Sequence, residues 1–232
     1  MELLGTKTDY VPTRDLPDPN TVFDYYVTHG TAIDIHDLAK TADHYDIDKS
    51  LLSANENPYG TGQTNAEGIY VIDCLGFNVR VENRRIAATL VLLNAGADSR
   101  LELEVNWAPA VANYPALLVQ GDITVNIESN VQLDEKVINK NLNPVGTPYA
   151  GVEDTDKKDK YPTEIQGMVY VSGDCTWKNQ SSIIGVLLVA GALKTADQPS
   201  ITYSSLYHDS PPPGFYTLPL SPVPGSWRQV VN

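Results

Sequence analysis

The chain has 232 residues, of which 42% are hydrophobic and 19% charged, so it carries enough apolar material for one large folded domain and is not a disordered polypeptide. Its formal net charge of −13 excludes a nucleic-acid backbone or an anionic membrane surface as partner, because both require clustered lysine and arginine. The acidity is compatible with divalent cations, basic partners, neutral glycans or simple solubility. No run approaches the roughly 20 apolar residues of a membrane span.

Residues 1–67 are predicted to be an N-terminal extension with helical character. The segment Asn20–Gly30 has apolar residues on one face, a polar residue that caps its start and a glycine that ends it. A second, weaker helix is predicted over Ile35–Ala42. Because a β-solenoid exposes the apolar interior of its first rung, we expect residues 20–45 to lie over that rung as a helical cap.

The strand pattern begins at Gly68. The predicted strands are Ile69–Asp73, Asn78–Glu82, Leu90–Asn94 and Leu101–Val105. The Leu90 run is apolar throughout and predicts a strand covered on both faces, whereas strict alternation after Leu101 predicts one solvent-exposed face. Several strands end at asparagine, which tolerates a left-handed backbone and suits a corner. These residues are Asn83, Asn94 and Asn106.

Three later segments share one pattern. They are Ala116–Val125, Met168–Trp177 and Val186–Thr195. Each has four mostly apolar residues, a small or polar residue, a glycine and a short alternating strand, and Gly191 follows Gly173 by 18 residues (191 − 173 = 18). This interval predicts a right-handed parallel β-helix, or β-solenoid, of about five to seven irregular rungs over residues 68–208. A β-sandwich is the alternative that short strands leave open.

The repeat is interrupted after its first copy, and residues 126–166 are predicted to be a loop insertion. Long loops inside compact domains are usually functional or mobile, so the insertion is the first place to look for a site. Its candidate Ca²⁺ ligands are Asp154, Asp156 and Asp159. The pattern departs from an EF-hand, because Lys158 stands where an oxygen ligand belongs, and the alternative is a solvated charged loop. The charged loop is the preferred interpretation, so no cofactor is predicted, with Ca²⁺ as the alternative.

Asp122 and Asp174 occupy matching positions in two of the repeats, directly after the repeat glycine. On neighbouring rungs they would stack at the interstrand spacing of about 4.8 Å. Paired carboxylates perform acid/base chemistry in glycan-cleaving enzymes, because proximity separates their pKa values, so these two residues are the candidate catalytic pair. The alternative is that each is an ordinary turn residue. The third repeat has Ala192 at this position, and no basic residue is expected in the same register.

Cys74 and Cys175 are the only cysteines, and both lie in apolar β segments. Two cysteines do not define a disulfide framework. A disulfide in an oxidising compartment and two buried free thiols are both consistent with the sequence.

The two ends of the chain are polar or rich in proline. Residues 209–232 are predicted to be a proline-rich C-terminal tail, extended along the outside. Its end, residues 225–232, either adds a last edge strand or anchors the tail by Trp227. The start lacks the charged and apolar regions of a signal peptide, which predicts a cytoplasmic protein. If an export signal or anchor has been removed, the expected location is the cell envelope or the extracellular space.

Several stretches together carry a family resemblance. They are Gly68–Cys74, Thr89–Asn94, Tyr114–Ile123, Asn143–Pro162, Ile165–Gly173, Pro211–Phe215 and Gly225–Arg228. They resemble uncharacterised exported β-solenoid proteins of planctomycete-like bacteria, some of which look related to pilus-assembly (PilX-like) components. The repeats alone are similar to bactofilins, the polymer-forming cytoskeletal β-helices, which are more regular and lack the insertion and the proline tail. The resemblance implies a β-solenoid and supplies no catalytic residues.

The resulting functional prediction is a non-enzymatic structural or adhesive protein of the bacterial cell envelope, associated with pili or the surface. The expected partners are other envelope proteins, further copies of the chain, or glycans. The alternative is a glycan-binding or glycan-cleaving β-helix protein that uses the tyrosine-rich surface with Asp122 and Asp174.

Overall fold

The computed structural model describes residues 16–48 and 51–215. The helices are α1 (Pro19–His29), a 3-10 helix (Ile35–Asp37), α2 (Glu135–Ile138) and α3 (Leu206–Asp209). The strands are β1 (Thr31–Ala32), β2 (Ala39–Lys40), β3 (Tyr45–Asp48), β4 (Leu52–Ser53), β5 (Ile69–Asp73), β6 (Val79–Ala87), β7 (Thr89–Leu93), β8 (Arg100–Ala108), β9 (Pro115–Val119), β10 (Ile123–Ile127), β11 (Gln132–Asp134), β12 (Lys160–Pro162), β13 (Glu164–Val171), β14 (Cys175–Trp177), β15 (Ser182–Val189), β16 (Leu193–Thr195) and β17 (Ser200–Tyr203). The prediction of a mainly β protein is confirmed.

Fifteen strands form one sheet, and their pairings fall into three parallel ladders. The first ladder joins β1, β5, β7, β9 and the second halves of β13 and β15. The second joins β3, the first halves of β6 and β8, then β10, β14 and β16. The third joins β4, the second halves of β6 and β8, the first halves of β13 and β15, and β17. The chain visits the ladders in this order and then returns to the first, which fits a β-helix or solenoid.

Each pass through the three ladders is called a rung here, and the strand order makes six passes. The first rung already begins at β1, because Thr31 pairs with Tyr70 of the second rung. The predicted boundary at residue 67 therefore falls inside the strand array. Within the described residues, β2 and β3 are the only antiparallel pair of this sheet, so an antiparallel sandwich is not what the chain forms.

Side chains in register form apolar columns along the axis of the array. The inward column of the third ladder contains Ile86, Trp107, Ile165, Ile183 and Ile201. The first four are at most 1% exposed and belong to the main core cluster. Burial of one such side chain contributes about 1.5–3 kcal/mol to the free energy of folding. These columns therefore supply most of the free energy that holds the rungs together.

Two of the three predicted asparagine corners are confirmed. Asn83 has φ +50° and Asn94 has φ +49°, both in the left-handed region. Asn106 does not form a corner: it lies within β8, is buried, and donates from Nδ2 to the Pro162 carbonyl at 3.0 Å. The corner on that rung is made by Leu103, with φ +60°, three residues earlier.

Helix α1 confirms the predicted N-terminal helix, but its position differs from the prediction. Its buried residues pack on the outer face of the first ladder, where Phe23 meets the Tyr170 ring edge-on at 5.9 Å. The prediction of a helical cap over the interior of the first rung is wrong. Strands β5 and β7 are apolar on both faces, so their outer face requires a cover, and α1 supplies it.

The predicted second helix over Ile35–Ala42 is wrong. Only Ile35–Asp37 is helical, as one 3-10 turn, and β2 follows at once. The reason is tertiary, because β3 pairs in parallel with β6 and β2 then lies antiparallel along β3. Strands β1, β3 and β4 thus form the first rung itself rather than its cap.

The insertion leaves the second ladder after β10 and rejoins the third ladder at β13, close to the predicted limits of 126 and 166. It is not loop throughout, because β11 and β12 pair antiparallel and α2 lies between them. The proline-rich tail is described only to Phe215, whose ring lies 5.8 Å from the Tyr170 ring on the outside of the first ladder. The rest of the predicted tail, including Trp227, lies outside the described residues.

Cys74 and Cys175 are both buried and unpaired. Cys74 follows β5 on the second rung and Cys175 opens β14 on the fifth, so three interstrand steps of about 4.8 Å separate them. That separation exceeds the Cα distance of about 7 Å at which a disulfide becomes impossible without backbone movement. The described helices include none of the length and apolarity that crossing a membrane requires.

Candidate functional site

The predicted pairing of Asp122 and Asp174 on neighbouring rungs is observed, at the corner between the first and second ladders. The Asp174 backbone N–H donates to Asp122 Oδ1 at 2.7 Å, and the Ala192 N–H donates to Asp174 Oδ1 at 2.9 Å. Each carboxylate therefore caps the backbone of the following rung. The corner is crowded, since a Cβ added to Gly173 would lie 2.3 Å from Asp122 Oδ1.

A basic residue reaches this corner from a different register, two positions beyond Ala192 on the next rung. Lys194 lies in register with Thr176, and its Nζ is 2.8 Å from Asp174 Oδ2. The Lys194 hydrogen bond, with the Ala192 N–H, holds the pKa of Asp174 below its usual range. Asp174 therefore lacks the raised pKa of a general acid, and both aspartates serve the corner as acceptors of a backbone N–H from the following rung.

The three predicted Ca²⁺ ligands do not converge. Asp154 Oδ1 accepts the Asp156 N–H at 3.1 Å, and Asp156 Oδ2 pairs with Lys158 Nζ at 2.6 Å. Asp159 Oδ2 instead accepts from Asn143 Nδ2 at 2.9 Å. Over residues 16–48 and 51–215, no three His, Cys, Asp or Glu side chains are grouped so as to hold a metal ion.

The insertion is anchored to the array by a residue that the sequence reading missed, Arg85 of β6. Its Nη1 donates to the carbonyls of Leu142 (2.5 Å) and Thr147 (2.9 Å), and its Nη2 donates to Pro148 (2.6 Å). Its guanidinium also lies over the Tyr149 ring, at 5.3 Å from the centroid. Burial lowers the pKa of Arg85, but the guanidinium stays charged because its ordinary pKa is above 12.

Glu135 organises the interior of the insertion. It is fully buried, and its Oε1 accepts from the Leu142 N–H at 2.5 Å and from the Tyr161 hydroxyl at 2.8 Å. Its Oε2 accepts the Asp159 N–H at 3.1 Å. The signal available in the sequence was the pair of arginines at 84 and 85 directly before Ile86 and Ala87, since buried guanidinium groups require partners.

The sixth rung leaves its interior open. Leu193 is 48% exposed and Ile201 is 47% exposed, although their register partners on the fifth rung, Cys175 and Ile183, are fully buried. Tyr203, at the end of β17, is 65% exposed. Among the described residues, no strand pairs with the outer edges of β16 or β17. We name the exposed end of the array, with Leu193, Ile201 and Tyr203, the open face.

At the opposite end, named the covered end, the apolar residues of the first rung are covered, since Ile33, Ile47 and Leu52 are at most 4% exposed, although no described strand pairs with the outer edges of β1 and β4. Strand β2 lies antiparallel along β3, and β4 is stopped by the Ser53 hydroxyl, which accepts the N–H groups of Asn55 (3.2 Å) and Glu56 (3.0 Å). Tyr59 is buried in the main core cluster at this end, where its ring faces the Arg84 guanidinium at 5.5 Å. The two ends of the array are therefore chemically different.

Comparison of the chain with protein-family models, with curated proteins and with solved structures found no match in any of the three.

Proposed function

We propose that the chain is a right-handed parallel β-solenoid of six rungs that serves as a structural protein and self-associates through the open face. The observation that carries the proposal is the loss of burial on the sixth rung, in columns that are fully buried on the fifth. Open strand edges and exposed apolar side chains are a template for pairing with another chain.

The occupant that we propose for the open face is the open face of a second copy. A head-to-tail contact would place it against the covered end, where β2 and the loop around Tyr59 occupy the space. Two open faces instead meet around a two-fold axis, and an isologous contact of this kind ends at a dimer. The product would be a rod of twelve rungs with a covered end on each side.

A rigid rod of this kind suits a structural or adhesive role at the cell envelope, associated with the surface or with pili. This part of the proposal rests on the resemblance of the chain to exported β-solenoid proteins. Glycan recognition is the second candidate function, and the groove lined by Ala108, Pro109 and Gln166 is the observation that favours it.

The test is light scattering coupled to size-exclusion chromatography over a range of protein concentrations. We expect the wild type to reach twice the 25.3 kDa of one chain. Ile201→Lys places a charge in the contact and is expected to give the mass of one chain. Val137→Lys is the matched control, because Val137 is 81% exposed on α2, away from the open face. A wild type that stays at one chain at every concentration overturns the proposal, as does an Ile201→Lys variant that keeps the wild-type mass.

A further inference from the structure

A groove runs along the outer face of the third ladder, across the strands. One section, of about 450 Å³, lies beside the insertion, and the other, of about 300 Å³, lies beside α3. Both sections are lined by Ala108, Pro109 and Gln166, so they form one continuous feature. This groove is separate from the open face and from the Asp122–Asp174 corner.

The floor of the groove is an outward column of side chains in register. Ser53 pairs with Ala87, Ala87 pairs with Ala108, and Gln166 pairs with Ile184. Successive members are about 4.8 Å apart, so the column extends along the array axis. Small residues in the middle leave room above the sheet, and Gln166 supplies an exposed amide there.

The side chains that form the walls of the groove are held in place by contacts with other residues. On one side, the Tyr149 ring is fixed edge-on to Tyr161 at 4.8 Å and lies beneath the Arg85 guanidinium. On the other side, Tyr207 is buried and its hydroxyl donates to the Ala112 carbonyl at 3.3 Å. A rigid aromatic wall, small floor residues and a few amides are the usual ingredients of a ligand site.

The groove carries little charge although the chain has a net charge of −13, and at its margin the Glu164 carboxylate accepts a hydrogen bond from Gln166 Nε2 at 2.6 Å. Arg85 is the single charged residue among the described residues that line the two sections, and its guanidinium is bonded to three backbone carbonyls. An acidic ligand placed here would lose hydration beside the Glu164 carboxylate, and it would find the Arg85 guanidinium already bonded to backbone carbonyls. The groove therefore favours a neutral, polar ligand.

The strands beneath the groove already pair on both sides within the third ladder. An extended peptide that binds by strand addition needs a free sheet edge, which this face does not offer. A sugar chain needs no free backbone, because its C–H faces pack on an aromatic ring while its hydroxyls donate to amide oxygens such as those of Asn55 and Gln166. The NH2 groups of these two amides already donate to the Gly146 carbonyl and to the Glu164 carboxylate.

From these observations we infer that the groove between residues 146–150 and 204–207 binds a linear, uncharged oligosaccharide.

The test is titration of the full chain with neutral hexasaccharides of glucose, xylose and N-acetylglucosamine, and with an acidic hexagalacturonate, by calorimetry and by NMR of the side-chain amides. We expect at least one neutral hexasaccharide to bind and to shift the Gln166 amide, with the acidic one at least about tenfold weaker. Ala108→Trp fills both sections and is expected to weaken binding by about tenfold or more. Ala97→Trp is the control, since Ala97 is exposed in a loop outside the groove.

Gln166→Ala is expected to weaken binding, and Gln180→Ala, at an exposed amide outside the groove, to leave it unchanged. The inference is overturned if no neutral hexasaccharide binds at millimolar concentration, if the acidic one binds equally, or if Ala108→Trp binds like the wild type. If the groove is instead occupied by the chain's own tail or by a peptide, no neutral hexasaccharide is expected to bind. The mass of Ile201→Lys is independent of all three, so failure here and failure of self-association are distinguishable.

Discussion

The Glu135 carboxylate and the Tyr161 hydroxyl are joined by a hydrogen bond of 2.8 Å in the interior of the insertion, although 26 residues separate them in the chain. The same Glu135 oxygen accepts the Leu142 N–H, which ties the start of α2 to the segment that contacts Arg85. Buried hydrogen bonds thus hold the insertion as a folded unit. Loss of the Glu135 carboxylate would leave its hydrogen-bond donors buried without an acceptor.

Glu135→Gln is expected to lower the free energy of unfolding by about 1–3 kcal/mol, because an amide replaces an acceptor that serves two donors at one oxygen. Tyr161→Phe is expected to lower the free energy of unfolding by about 1 kcal/mol, because only one hydrogen bond is removed. Urea unfolding measures both. Glu104→Gln is the control at a partly exposed position and is expected to behave as the wild type. Equal stability of Glu135→Gln and the control would contradict the role assigned to Glu135.

Gly173→Ala tests the crowded corner. The added Cβ would lie 2.6 Å from the Gly121 carbonyl oxygen, so the backbones of two rungs must separate. Overpacking of this kind typically costs about 1–3 kcal/mol. Gly151→Ala is the comparison, because Gly151 has φ +81° but open space around it. Thermal unfolding is expected to show a larger loss for Gly173→Ala, and the reverse order would show that the corner is loosely packed.

The Asp174–Lys194 pair is exposed and contributes little to stability, but it sets the ionisation of Asp174. Lys194→Ala is expected to raise the pKa of Asp174 toward its ordinary value, because the first cause of its depression is removed. Carboxylate NMR chemical shifts against pH measure this change directly. Lys178→Ala, a change of the same kind at another exposed lysine, is expected to leave that pKa where it is.

Both thiols are expected to be unreactive in the native state. Burial raises the pKa of Cys74 to about 12 and that of Cys175 to about 11. An aromatic disulfide reagent at pH 8 should therefore detect no thiol until denaturant is added, and then two per chain. Rapid labelling of the folded chain would contradict the burial of the cysteines.

The same pKa shifts predict a loss of stability in alkali. An unfolded thiol ionises at about pH 8.5, below both folded values, so the unfolded state is favoured progressively as the pH rises from there toward 11 and 12. Below about pH 8.5 the contribution is complete. Replacement of both cysteines by alanine is expected to flatten the stability profile between about pH 8.5 and 10, before tyrosines ionise in the unfolded chain. An unchanged slope in this window would exclude the thiols as its cause.

The sequence by itself determined the elements whose cause is local. Alternating and continuous apolar runs placed β5, β7 and β8, a repeat glycine placed the corner beside Asp174, and an interruption of the repeat placed the insertion. Helix α1 was equally visible from its periodicity. Each pattern reflects which face of a strand or helix is buried, and the spacing of apolar residues within a short stretch of sequence is enough to show it.

The tertiary structure alone decided what depends on register between distant rungs. It places α1 on the outer face of the first ladder rather than over its end, brings Lys194 to Asp174, and joins Arg85 to carbonyls 57 to 63 residues away. It also decides which end of the array is open, because burial of Ile201 depends on the presence of a following rung and not on its own neighbours in the chain. Strand register determines which side chains meet across neighbouring rungs, and register cannot be deduced from the residues next to each side chain in the chain.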